Sequence, residues 1–169
     1  MLALMALLLF GAPQVAPSRP EAVKCASGFY EAYRHMPRYG IPDPPDLAKL
    51  SPFMSARLRK LIADALKYRS SLQCGDCKPP FSDGDLFSSN FEGYSDFAVE
   101  APHIVGSQAE VPILFKYVDY ADPKSIAKWR DVVIVKIEAG NAVIDDIRFG
   151  ADWPFASHGS LATALATRH

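Results

Sequence analysis

The sequence predicts an α+β fold, with N-terminal helices packed on one face of a curved antiparallel sheet. Three observations predict it. Apolar residues recur at helical spacing as far as Tyr68, and from Asp85 onward the period changes to the alternation of strands. The strands come as consecutive hairpins, with no βαβ alternation that would call for a parallel sheet.

The first helix spans Ala22 to Met36. Cys25, Ala26, Phe29, Tyr33 and Met36 fall three and four residues apart and form one stripe, which Gly28 weakens. "MPRYGIPDPPD" ends it, because four prolines between Pro37 and Pro45 deny the helix its donors. A short turn, "DLAKL", follows with Asp46 as its cap. Ser51 reads as the N-cap of the next helix, with Pro52 at its first position. Phe53, Met54, Leu58, Leu61, Ile62, Ala65 and Leu66 carry that helix to about Tyr68. A polar, proline-bearing loop from Ser70 to Gly84 comes next. "DFAVEAPHIV" and "EVPILFKYVDY" flank "GSQ" as a hairpin from Asp96 to Tyr120, with Pro102 and Pro112 marking an edge or a bulge. "WRDVVIVKIE" (Trp129 to Glu138) and "AVIDDIRFG" (Ala142 to Gly150) flank "AGN" as a second hairpin. "SLATALAT" predicts a last helix from Ser160. A sheet of this kind curves into a cone whose open mouth can receive a small ligand.

At the N-terminus, Met1 to Phe10 is an unbroken apolar run, and the first charge is Arg19. Ten residues are too few for a hydrocarbon layer of ~30 Å, which takes ~20. The length suits the h-region of a secretory signal, so residues 1–19 are expected to be a signal segment with its cleavage region, and 20–169 a single domain. That predicts a periplasmic or secreted protein without a stable membrane span after processing. Competing readings are a buried helix and an uncleaved anchor. Nineteen acidic and eighteen basic residues leave a net charge of −1. The densest basic cluster is "RLRK" (Arg57 to Lys60) on a helix face, so nucleic acid is not an expected partner.

Cys74 and Cys77 form a Cys-x-x-Cys inside the loop after the long helix. In an oxidising compartment they would close a short local disulfide. A redox centre would place the first thiol at a helix N-terminus, and a zinc site would need two further ligands. Cys25 and four scattered histidines supply no such spacing, so neither metal nor cofactor is expected. Cys25, on the apolar stripe, reads as a buried thiol.

Asp145 and Asp146 are adjacent on a strand, where neighbouring side chains point to opposite faces, so they cannot act on one substrate together. Asp145 shares parity with Val143, Ile147 and Phe149, and Asp146 with Ile144 and Arg148. An Asp in a cone pocket could serve as a general base; the competing reading is a carboxylate that fixes a turn or pairs with Arg130 or Arg148. Asp83 and Asp85 flank Gly84 and read as a turn or a cap. Tyr30, Tyr33, Tyr94, Tyr117 and Trp129 could line a pocket or fill the core. The pocket expected here is built from Tyr30, Tyr33, Trp129, Asp145 and Asp146. His35, His103 and His158 stand in no motif.

"GFYEAY", "GDLFSSN", "WRDVVIVKIE", "AGN" and "VIDDIRF" follow one another in that order from Ala22 to Phe149. This series resembles the bacterial exported family catalogued as Domain of Unknown Function 3828. The resemblance implies an α+β cone of the cystatin or nuclear-transport-factor-two-like kind, and it implies no activity. Two function classes follow. One is a non-catalytic exported domain that binds a small apolar or amphipathic ligand, or an envelope protein. The other is a cone-fold lyase, isomerase or hydrolase that uses Asp145 or Asp146.

Overall fold

The computed structural model describes residues 15–73 and 78–167. The Met1–Phe10 run and the Cys74–Cys77 pair lie outside the described residues. The rest is an α+β fold, in which helices pack against one antiparallel sheet.

Helix α1 (Arg19–Tyr33) starts three residues earlier than the apolar stripe suggests, because its start signal lies upstream. The Ser18 side chain accepts from Glu21 N–H while the Glu21 carboxylate receives Ser18 N–H, a complete capping box with Pro20 in the first turn. Ala22, Cys25, Ala26, Phe29, Tyr30 and Tyr33 form its buried stripe. Helix α2 (Pro44–Leu50) has Asp43, not Asp46, at its N-cap. The following helix, by contrast, starts later than expected. Ser51–Phe53 is a single 3-10 turn, and α3 (Ala56–Ser71) is capped by Ser55, whose oxygen accepts from Leu58 N–H at 3.0 Å. The cause is tertiary. Met54 is extended and bridges Ile144, and Ser55 N–H donates to Ile144 O at 2.8 Å, so the chain runs as a short strand before it can turn helical.

The sheet runs β1 (Asp96–Val99), β3 (Gln108–Val118), β4 (Ile126–Glu138), β5 (Asn141–Arg148), with β2 (His103–Val105) also paired to β3. The expected first strand is thus two. Strands β1 and β2 take successive stretches of the same edge of β3, broken at residues 100–102, where Pro102 can donate nothing. The second hairpin turns at Ala139 and Gly140, both with positive φ, as a tight two-residue connection demands.

One face of the sheet is the core. Ala109, Val111, Ile113 and Phe115 of β3 pair with Val135, Val133, Asp131 and Trp129 of β4, and α1 lies across them. On β5 the alternation breaks. Ile134 pairs with Asp146 and Val135 with Ile144, so Asp145 is the extra residue of a β-bulge. Ile144 and Ile147, three apart, are therefore both fully buried in the core. The expected shared face of Asp145 with Ile147 does not form. The outer edge of β5 is closed by the Met54 bridge at Ile144 and by Ser160 at Arg148. Helix α4 (Leu161–Ala166) begins where expected, after Ser160.

Candidate functional site

The aromatic residues expected at the mouth of a cone fill its interior. Tyr30 and Tyr33 are wholly buried, and Trp129 nearly so. Tyr30 meets Phe115 edge-on at 5.2 Å, and Phe115 stacks on Trp129 at 5.3 Å. Tyr94 packs on both Tyr30 and Phe115, while Tyr117 lies at the partly buried margin. Two of the hydroxyls have inward partners: Tyr30 donates to Phe87 O at 2.9 Å and Tyr33 to Asp85 Oδ1 at 3.0 Å, while the buried Tyr94 hydroxyl has no hydrogen bond. Burial holds both phenols well above their ordinary pKa, with neighbouring carboxylates adding to the effect. These rings form a packed cluster.

Neither carboxylate of the Asp-Asp pair enters it. Asp145 accepts from Ser55 Oγ at 2.7 Å and Lys136 Nζ at 2.8 Å, and its other oxygen faces Arg57 Nη1 at 3.1 Å. Partial burial alone would raise its pKa, but Lys136, Ser55 and Arg57 together hold it below the usual carboxylate value. Its partners are not the arginines expected from sequence, for Arg130 binds Glu100 and Arg148 binds Glu110. Asp146 Oδ1 receives Ile147 N–H and Ala162 N–H, both at 2.8 Å, and so ties β5 to the first turn of α4. His35, His103 and His158 are exposed.

Two other carboxylates are buried. Asp131 accepts from Ser89 N–H at 2.8 Å, Ser89 Oγ at 2.5 Å, Gly150 N–H at 2.8 Å and Trp129 Nε1 at 3.4 Å. It pins residue 89 and residue 150 to the middle of β4. Burial raises its pKa, and these donors oppose the rise. The sequence carried the signal, since Asp131 shares parity with Trp129 and Val133. Asp85 receives Tyr33 Oη at 3.0 Å and Phe87 N–H at 2.8 Å on Oδ1, which agrees with the turn expected there. Its Oδ2 is 3.7 Å from Arg38 Nε and has no hydrogen bond. Burial lifts the carboxyl to about 6, against the pull of Phe87 N–H and Arg38.

The open apolar space lies elsewhere, between α2 and α3. A groove of about 280 Å³ is walled by Leu47 and Ala48 on one side, Ile62, Ala63 and Leu66 on the other, and Met54 beneath. Arg59 is the one charged residue of its lining. Its Nη1 donates to Ser51 O at 3.1 Å and Met54 O at 2.6 Å, so the cation is fixed there by backbone. Chemically, such a slot can take a slender apolar chain, with an anionic group beside the arginine.

Comparisons with protein-family models, with curated proteins and with solved structures find no match. Among the described residues no three metal-ligating side chains converge, and no helix is long and apolar enough to cross a membrane.

Proposed function

We propose that this chain is an exported, non-catalytic binding domain whose ligand seat is the α2–α3 groove, and that it takes an amphipathic molecule with an acyl-like chain. The single observation that carries this is the groove itself: an aliphatic slot of about 280 Å³, with a backbone-anchored arginine, on a domain whose interior is filled by its own aromatics. Its size sits at the low end of small-molecule pockets, ~300–1,000 Å³, which suits one chain rather than a bulky ring system. The export half of the reading rests on the Met1–Phe10 run and the resemblance to the exported family. An intact mass shortened to a start between Pro13 and Arg19 would agree with it, and persistence of the full-length chain in the cytoplasm would reject it.

The enzymatic alternative needed Asp145 or Asp146 in a dry cavity beside a Tyr or His. Asp145 is instead neutralised by Lys136 and Arg57, and Asp146 holds the start of α4.

The test is displacement of N-phenyl-1-naphthylamine, a probe that brightens in apolar sites, by dodecanoate. The native protein should bind the probe and release it to dodecanoate. Ala63→Glu, at an exposed position on the groove wall, should weaken dodecanoate at least ~10-fold, the effect of one misplaced charge of ~1.4 kcal/mol. No probe binding, or equal binding by the variant, would reject the groove as the seat.

A further inference from the structure

A second cleft, about 300 Å³, lies between residues 38–39 and the 83–92 segment. It differs chemically from the α2–α3 groove. Its walls carry two exposed aromatic rings, Tyr39 (75 % exposed) and Phe91 (45 %), with Asp83, Glu92 and Arg38 around them. Lone exposed aromatics are common on surfaces, but here two stand at one cleft beside charged groups.

The cleft is held rigidly. Gly40 bridges Asp85, Gly40 N–H donates to Gly84 O at 2.7 Å, and Asp85 N–H donates to Phe91 O at 2.9 Å, so the two loops are stitched together by backbone. Phe91 lies directly over Gly84, where an added Cβ would come within 2.6 Å of the ring. Arg38 is clamped from beneath: it hydrogen-bonds Tyr94 O, stacks 3.8 Å from the Tyr94 ring, and faces the buried Asp85. An arginine fixed in this way loses little entropy when a ligand arrives.

The geometry points to a subsite for one or two residues of an uncharged oligosaccharide. A pyranose presents C–H faces that stack on aromatic rings and hydroxyls that both donate and accept. The Glu92 carboxylate and the Asp83 oxygen that Lys78 does not hold can take its donors, and the Arg38 guanidinium can donate to its oxygens. The mixed charge decides against ions. Asp83 is already paired with Lys78, so an anion meets Glu92, a cation meets Arg38, and a neutral polyol satisfies both. An acyl chain has no aliphatic wall here.

The test uses saturation-transfer NMR of the full chain with tri-N-acetylchitotriose, cellotriose and maltotriose, each at millimolar concentration. At least one should bind with weak affinity, and Tyr39→Ala or Phe91→Ala should each weaken it roughly 3- to 10-fold, the scale of one aromatic contact. Glu92→Gln, which keeps an acceptor, should weaken it less than either. Both aromatic variants are at exposed positions, and a thermal melt within a few degrees of the parent's confirms that they are folded. Ala63→Glu in the α2–α3 groove should leave sugar binding unchanged, which separates this site from that one. Absence of binding to all three sugars, or binding that survives loss of both rings, overturns the proposal.

Discussion

Asp85→Asn should change how stability depends on pH, more than it changes stability at any single pH. The carboxyl titrates near 6 in the folded chain against 3.8 for a free aspartate. A raised acid pKa means the folded state holds a proton that the unfolded chain has released. The native protein therefore gains stability from Asp85 as pH falls through 6 toward 4, and carries the full cost of its ionisation above about 7. A shift of about two pKa units corresponds to ~3 kcal/mol. The asparagine keeps an acceptor for Tyr33 Oη and Phe87 N–H but cannot ionise. Urea unfolding followed by circular dichroism, at pH values from 4.5 to 7.5, gives the difference between parent and variant at each pH. That difference should move by ~2 kcal/mol in favour of the variant as pH rises across the range, the remainder of the effect lying below pH 4.5. A difference that stays constant within ~0.5 kcal/mol would refute the reasoning, because it would mean that Asp85 is not ionised at the expense of folding.

Asp131→Ala should cost ~3–5 kcal/mol in urea unfolding, since it strands donors from Ser89, Gly150 and Trp129; a loss under ~1 kcal/mol would mean water takes its place. Gly40→Ala should be severe, because Gly40 has φ +69° and a Cβ there would overlap Phe81 O, whereas Gly106→Ala, with open space at φ +59°, should cost only ~1 kcal/mol. The two costs would have to be equal to remove the case for that close approach. Cys25 is nearly buried, with its thiol pushed up to about 12, so native protein should leave it unlabelled by a thiol reagent at pH 8. With Cys74 and Cys77 joined, denaturation should expose one thiol; three thiols in freshly exported protein would exclude the bridge.

The elements that sequence predicted well are those whose pattern is local. The Cys25–Phe29–Tyr33 spacing marks α1, and the alternation from Ala109 to Phe115 marks the core face of β3. Errors arose where a distant partner overrides a local rule. Ser51 has every mark of an N-cap, but pairing of Met54 and Ser55 with Ile144 postpones the helix to Ala56. Parity assigned Asp145 to the face of Ile147, and one bulge opposite residues 134 and 135 reversed that. The candidate pocket failed for a related reason. Tyr30, Tyr33 and Trp129 are inward-facing as their spacing says, yet spacing does not reveal whether inward rings enclose a cavity or fill it. The α2–α3 groove was not legible at all, since it exists only through the placement of Leu47 and Ala48 opposite Ala63 and Leu66. Asp85 was read as a turn residue, which it is; its burial depends on Tyr33, 52 residues away in sequence.

The most direct measurement of the proposed binding role is a backbone amide NMR titration of the folded chain with dodecanoate. Saturable shifts should gather on Leu47, Ala48, Ala63 and Leu66, with Arg59 among them, while Tyr30 and Trp129 stay still. Shifts centred on Tyr30, Tyr33 and Trp129 would place the ligand in the sheet's interior and contradict the account, as would a spectrum that dodecanoate leaves unchanged.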